Sequence, residues 1–393
     1  MQLKKFSGAA SIILLFLSVI FLDACRPIRN LKATPAPWYG PSNYTSKLPA
    51  NDTTKRNVFI IADSKLTEMF DMLAPFYLFN ATGKANVFIV AKDKTPILIK
   101  RDLFVVPQIS FDEVDSLRLK ADAIVIPALS SRDDHQDPIV INWIKSHFTA
   151  KTKLLTICDG SSTGAATGLY DGKLITTHAS DFKSINKHFN KPIWVQNVSV
   201  TKSGNLFSTA GVSNAVEGSL TVINELFGDD TKRGVINHVH YPFKDIKNTH
   251  KSIALRGSDK RTAAAKIFLK GNKNIGLLLQ NGINEYEMAA VLDTYGRTLP
   301  SSFKVITNNG YTVQTKFGLT LISTDNLPDK RLDELHVLMP ESFSQQQVQQ
   351  FKKVKIVKYV PDEYLFNKLF RQIAEQYGDR FAEFVSVSLD YNY

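Results

Sequence analysis

Lys153-Leu154-Leu155-Thr156-Ile157-Cys158-Asp159-Gly160-Ser161-Ser162-Thr163-Gly164-Ala165 is the stretch from which the fold of this chain is read. Its first half is a short run of apolar and β-branched residues, the signal of a buried strand. The run ends at a cysteine, a glycine follows two residues later, and small residues then open a helix. That succession is the recipe for a nucleophile elbow. The strand delivers the side chain at its carboxyl end, the turn is too tight for bulky neighbours, and the helix start offers free backbone N–H groups and partial positive charge. Those groups favour a thiolate and a developing oxyanion.

Outward from the elbow, the chain alternates strand and helix signals. Residues 57–62 (Asn-Val-Phe-Ile-Ile-Ala) form a buried-strand run, and the apolar spacing of Leu66, Met69, Phe70, Leu73 and Tyr77 predicts a helix over 66–79. Further strands are expected at 86–91 and 121–127, a helix at 138–148, and the elbow strand at 153–158. This alternation argues for an α/β fold with a mostly parallel sheet covered by helices on both faces. Asp171-Gly172 and Ser203-Gly204-Asn205 are turn signals around strands at 173–177 and 194–202, a small β-rich insertion before a long helix at 213–227.

The pattern then restarts. Residues 274–279 echo the strand at 57, Glu285-Tyr286-Glu287-Met288 echoes Glu68-Met69-Phe70-Asp71-Met72 with one residue fewer, and 303–307, 335–340 and 353–360 match the next three strands. The endings match as well: Glu225-Leu226-Phe227-Gly228-Asp229, followed by Tyr241, against Glu375-Gln376-Tyr377-Gly378-Asp379, followed by Tyr391. The second copy lacks the elbow helix and the insertion after it, and carries Val360-Pro361 at the cysteine's place. The expected organisation is therefore a unit at 57–243 that keeps the site, a basic and partly helical linker at 244–273, and a degenerate copy at 274–393 without the elbow.

The chain has 393 residues, 44% hydrophobic and 22% charged, with a net charge of +11. Its basic residues are scattered, which fits a generally basic surface better than a polyanion-binding face. The N-terminus begins with a basic Met1-Gln2-Leu3-Lys4-Lys5, continues with an apolar run over 9–22, and reaches Leu22-Asp23-Ala24-Cys25. The apolar run is short for a membrane span and fits a signal-peptide h-region. The end of that run resembles a bacterial lipobox, with Asp23 unusual for it, so residues 1–25 read as a lipoprotein-type signal ending at a lipidated Cys25. The other reading is an uncleaved anchor. Either places the body in a bacterial cell envelope, tethered to a membrane and facing the periplasm or the exterior. Residues 26–56, rich in Pro, Asn, Ser and Thr, read as a flexible tether. Two cysteines, one of them lipidated, leave no intrachain disulfide.

Cys158 needs a partner to act as a nucleophile, because a thiol at its free pKa is mostly protonated. Asp71, early on the helix after the first strand, and His178 of Thr176-Thr177-His178 are the candidates. His135, His238, His240 and Asp133-Asp134 lack the spacing of a metal site, so no metal and no cofactor are expected. The glycines at 160, 164 and 168 follow the nucleophile and do not form a dinucleotide fingerprint.

The segments Met69-Phe70-Asp71-Met72-Leu73-Ala74-Pro75, Ala123-Ile124-Val125-Ile126-Pro127, Ile157-Cys158-Asp159-Gly160 and Gly168-Leu169-Tyr170-Asp171-Gly172 through His178 resemble the DJ-1/PfpI superfamily. That superfamily is related to class I glutamine amidotransferases. The nearest subgroup is that of isocyanide hydratases and the amidase-like N-terminal domains of AraC-type regulators. The resemblance implies a flavodoxin-like parallel sheet sandwiched by helices, tandemly repeated here. It also implies Cys158 as the reactive residue, Asp71 as its acidic partner, His178 near the pocket, and an oxyanion hole that includes the Asp159 N–H.

Three departures follow. Ala128-Leu129 stand where the family carries glycines after the third strand, so their N–H groups must serve without glycine's freedom. Asp159 places a carboxylate beside the cysteine, which disfavours a thiolate and removes the adjacent-histidine dyad of PfpI-type peptidases. The chain continues into its own degenerate copy instead of a DNA-binding domain, so no nucleic-acid partner is expected. The functional expectations are a hydratase or amidohydrolase acting on a small carbon–nitrogen electrophile, or a catalytically silent ligand-binding or redox-sensing module. A purely structural envelope protein is the third reading. The second copy is expected to pack on the first as an intramolecular pseudo-dimer, in a protein that is monomeric.

Overall fold

The computed structural model describes residues 51–392 apart from 64–66, 101–102, 130–135, 308–310, 324, 327–331, 344–350 and 361, together with Pro27, 38–40, Leu48 and Ala50. Cys25 and the signal segment, Leu66, Asp133, Asp134, His135 and Pro361 lie outside the described residues.

The first half contains β1 (Arg56–Ile61), α1 (Met69–Ala81), β2 (Ala85–Ala91), β3 (Ile97–Lys100), β4 (Leu103–Val106), β5 (Ile109–Ser110), α2 (Phe111–Ser116), β6 (Ala123–Ile126) and α3 (Pro138–His147). It continues with β7 (Lys153–Thr156), α4 (Gly160–Ala166), β8 (Leu174–Ile175), α5 (Phe182–His188), β9 (Ile193–Trp194), β10 (Val200–Ser203), β11 (Leu206–Thr209), α6 (Ala215–Phe227) and α7 (Asp229–His238). After α8 (Gly257–Leu269) come β12 (Asn274–Leu279), α9 (Glu285–Gly296), β13 (Ser302–Thr307), β14 (Thr312–Gln314), β15 (Thr320–Ser323), β16 (Asp325–Asn326), β17 (Glu334–Val337), β18 (Lys355–Lys358), α10 (Leu365–Tyr377) and α11 (Asp379–Ser388).

The first sheet has the order β10-β11-β7-β6-β1-β2-β5 and is parallel except for the β10–β11 pair. The second, β16-β13-β12-β17-β18, is parallel throughout. The inner strands follow one order in both sheets: β7-β6-β1-β2 and β18-β17-β12-β13. Alternate residues along each strand enter different cores. Val58, Ile60, Val87 and Val125 face one layer, while Phe59, Ile61, Phe88 and Ile124 face the other. That is the pattern of a sheet covered on both faces. The chain is thus an α/β protein with mostly parallel sheets flanked by helices.

The layer holding Val58 and Ile60 is shared between the halves, because it also contains Ile275, Leu277 and Leu279 of β12. Helix α1 packs against α9 there. Phe70 lies 5.5 Å from the ring of Tyr286 and 5.1 Å from that of Phe366. Such aromatic pairs are worth about 0.5–1.5 kcal/mol each beyond the area they bury.

Four expectations need correction. The β-rich insertion is not a separate unit: β10 and β11 extend the main sheet, and only β8 and β9 stand apart. Residues 97–100 and 103–106, read as no element, form β3 and β4, which join β14 and β15 in an antiparallel sheet with two strands from each half. The segment 26–56 is not a tether throughout, because Trp38 seats its ring 5.1 Å from Phe104 on that sheet; a tryptophan gains too much from burial to stay in solvent. The linker is also packed: its helix starts at Gly257, and buried His250 lies 2.9 Å from Asp390. Among the described residues no helix is long and apolar enough to cross a membrane.

Candidate active site

Strand β7 delivers Cys158 as expected. Ile157 N–H still donates to Ile126 O of β6 at 3.0 Å, so the strand pairing holds up to the residue before the cysteine. Cys158 itself then takes φ +53°, the left-handed conformation that side chains avoid. Strain of this kind persists only where the surroundings over-determine it, and it concentrates at functional sites. Gly160 is part of that surrounding: a Cβ there would lie 2.2 Å from Ile126 O and 2.6 Å from Pro127 O. Only glycine lets the start of α4 approach the end of β6 this closely.

Cys158 is 6% exposed, and the Asp159 N–H points at its sulfur. Burial, followed by the charges of Asp159, Asp71 and Glu68, pushes the thiol well above its ordinary pKa; the Asp159 N–H opposes them. The sulfur is therefore a neutral thiol at neutral pH.

Asp71 is fully buried, in the first turn of α1. Its backbone N–H donates to the Glu68 carboxyl at 2.7 Å, where Glu68 caps the helix, and its Oδ2 accepts the Ala128 N–H at 3.1 Å. Burial raises its pKa to about 7, and the Asp293 and Asp159 charges add to this against the Ala128 bond. Glu68 is pushed well above the carboxylate range by burial and by Asp293 and Asp71. Of two neighbouring carboxyls, the one left protonated can donate to the other.

The counter-charge comes from both halves of the chain. Arg297, at the end of α9, lies 3.2 Å from Asp293 and 4.0 Å from Glu68, and Lys100 of β3 lies 3.4 Å from Asp293. Burial works against ionisation of Asp293, yet Arg297 and Lys100 outweigh it and hold the carboxyl below its ordinary value. Cys158 in turn contributes to the raised pKa of Arg297, which places the guanidinium in the field of the sulfur. The site is thus built from α1 and the elbow on one side and the end of α9 on the other.

The structure brings Cys158, Asp71 and Asp159 into one locus and adds Glu68, Lys100, Asp293 and Arg297, which sequence reasoning did not name. The only local signals were the capping position of Glu68, three residues before Asp71, and the i,i+4 pair Asp293–Arg297. One expectation changes. The Ala128 N–H is engaged by the Asp71 carboxylate, and Leu129 is bridged to Thr67, so of the three residues assigned to an oxyanion hole only Asp159 directs its N–H at the sulfur. His178 is buried, its Nδ1 accepts the Ser180 N–H at 3.2 Å, and burial lowers its pKa. The residue of that motif that holds the elbow is Thr177, whose hydroxyl lies 3.2 Å from Cys158 O and 3.1 Å from Asp159 Oδ1. Among the described residues no group of three or more His, Cys, Asp or Glu is placed to hold a metal.

The arrangement pairs a neutral thiol with a buried carboxyl that is half ionised near neutral pH. Such a carboxyl can take a proton as a bond forms at sulfur and return it later, which is general acid–base catalysis around a covalent step.

The part of the chain that carries this site is similar to known proteins. A sequence model of the DJ-1/PfpI family matches residues 55–225. An isonitrile hydratase of Pseudomonas putida is 25% identical over 175 residues, 44% of this chain and 74% of that protein. The Parkinson disease protein 7 homolog of Danio rerio is 25% identical over 178 residues, 44% of this chain and 90% of its own length. The crystal structure of Drosophila melanogaster DJ-1beta superposes with a TM-score of 0.42 at 21% identity, covering 47% of this chain and 97% of that one. Residues 55–225, which carry the Cys158 elbow and Asp71, are the part of the chain that is similar to the DJ-1/PfpI family.

Proposed function

We propose that Cys158 adds to the carbon of a small carbon–nitrogen electrophile and that water then releases the product, a hydratase or amidohydrolase reaction. One observation carries this reading: a strained elbow thiol is held in the electrostatic field of a buried carboxyl whose pKa is about 7. The isonitrile hydratase among the relatives supports an isonitrile as the electrophile.

The chemistry balances without a redox partner. Asp71, as carboxylate, accepts the thiol proton as the S–C bond forms, and passes it to the isonitrile carbon to leave a thioimidate on Cys158. Water adds to that carbon, giving one proton to nitrogen and the other to Asp71; the C–S bond breaks, Asp71 passes its proton to sulfur, and an N-substituted formamide leaves. A neutral thiol is compatible with this order, because its proton departs only in the step that uses it. The test is turnover of cyclohexyl isonitrile to the formamide, followed by NMR: the wild type converts it, and Cys158→Ala and Asp71→Asn lose the activity. Unchanged turnover in Cys158→Ala refutes the reading.

A second reading, a silent ligand-binding module that keeps the fold, is favoured by the Asp159 carboxylate beside the sulfur and by the engaged Ala128 N–H. It predicts no turnover by the wild type and no alkylation of Cys158.

We further propose that the body is exported and lipid-anchored through Cys25, on the strength of the apolar run and the lipobox-like end. Palmitate labelling that persists in Cys25→Ser contradicts this. The shared core and the cross-half ion cluster support an intramolecular pseudo-dimer that needs no second copy, for which a monomer in sedimentation is the expected result.

A further inference from the structure

The second half has a cavity where the first half has its site. Strand β18 ends at Tyr359-Val360 as β7 ends at Ile157-Cys158, and Glu287 is the third residue of α9 as Asp71 is of α1. Asp293 reaches the Cys158 site from the far part of α9. In the same manner, Tyr77 reaches the opposite cavity from the far part of α1. The elbow is gone there, and a pocket of about 160 Å³ remains, lined by Tyr77, Tyr286, Glu287, Lys316, Tyr359 and Leu365 among others.

The charges in this pocket do not satisfy one another. Lys316 Nζ donates to the Tyr77 hydroxyl at 3.2 Å and lies 5.2 Å and 5.6 Å from the centroids of the Tyr77 and Phe317 rings. Among the described residues it pairs with no carboxylate, and the half-buried Glu287 carboxylate has no hydrogen bond or ion pair. Tyr77 Oη is also 2.8 Å from His238 Nε2, so the phenol that receives the lysine is fixed from the other side. The neighbouring Glu363 is engaged by Arg371. A partly desolvated cation and anion facing one cavity without meeting leave both charges for a ligand to neutralise. Tyr286, Tyr359 and Leu365 supply an apolar wall. The volume is below that of a drug-sized site, which excludes peptides and admits one small metabolite.

We propose that this cavity is a binding site for a small zwitterion of the α-amino-acid type. Lys316 takes its carboxylate, Glu287 takes its ammonium group, and the apolar side chain rests on Tyr286, Tyr359 and Leu365. The site is independent of the chemistry at Cys158.

Calorimetric titration of the full chain with L-leucine tests the proposal, with isocaproate and isoamylamine as the analogues lacking one charge each. Leucine is expected to bind, with each analogue weaker by about tenfold or more. Lys316→Met and Glu287→Gln are each expected to weaken leucine by a similar factor, with unfolding of the ligand-free variants close to wild type. Cys158→Ala is expected to bind leucine as the wild type does. The proposal is overturned by absence of leucine binding to the wild type, by equal binding of either analogue, or by retention of binding in both pocket variants. Loss of binding in Cys158→Ala also overturns it, by placing the ligand at the elbow.

Discussion

Replacing Arg297 by methionine removes the guanidinium and keeps the length of the side chain. Asp293, 4% exposed, then loses a partner 3.2 Å away. Two unit charges at that separation attract by about 5 kcal/mol at an effective dielectric constant of 20. Removing one member of a buried pair is measured at about 3–5 kcal/mol. The Arg297 side chain is 29% exposed and Lys100 still sits 3.4 Å from Asp293, so the low end, about 3 kcal/mol, is expected. Urea unfolding at neutral pH gives the value directly. The pH dependence supplies a second check. Asp293 is held below its ordinary value of 3.8, so its contribution is present above that pH and is lost as pH falls through the folded value. The gap between wild type and variant is therefore full at neutral pH and closes on acidification below pH 3.8. A loss under about 1 kcal/mol, or a gap that does not change with pH, refutes the claim that Arg297 holds the buried Asp293 carboxylate in this cluster.

Asp71 has the opposite sign. Its folded pKa of about 7 exceeds the ordinary 3.8, so the folded protein holds a proton that the unfolded chain releases. Its stabilising contribution is complete below 3.8 and is lost as pH rises through about 7; Asp71→Asn flattens that slope in unfolding curves taken across the window. Gly160→Ala drives a Cβ to within 2.2 Å of the Ile126 carbonyl, which cannot rotate away, and is expected to destabilise by about 1–3 kcal/mol in thermal unfolding. Asp159→Asn keeps the oxygen that accepts the Thr177 hydroxyl and removes the charge that opposes the thiolate. Iodoacetamide is expected to alkylate Cys158 faster in that variant, by about tenfold for each unit its pKa falls.

The strands at β1, β2, β6, β7 and β12 were legible because each is an apolar run flanked by turn or helix signals. The elbow was legible because a tight strand-to-helix turn restricts which residues fit, as the contacts around Gly160 demonstrate. Asp71 was legible through its place after the first strand. The partners that set its pKa were not. Asp293 and Arg297 come to it only through the packing of α9 against α1, and nothing in the local pattern of either helix announces that packing. The sheet that pairs β4 with β15 escaped for the same reason, these two strands being four residues long and their pairing long-range.

Intact-mass and peptide-mass measurement of the full chain mixed with cyclohexyl isonitrile tests the nucleophilic role of Cys158 most directly. Attack by the elbow sulfur predicts one added isonitrile per chain, located on the peptide that carries Cys158 and absent from Cys158→Ala. An unmodified wild-type chain that also forms no formamide, or an adduct that persists in Cys158→Ala, contradicts it.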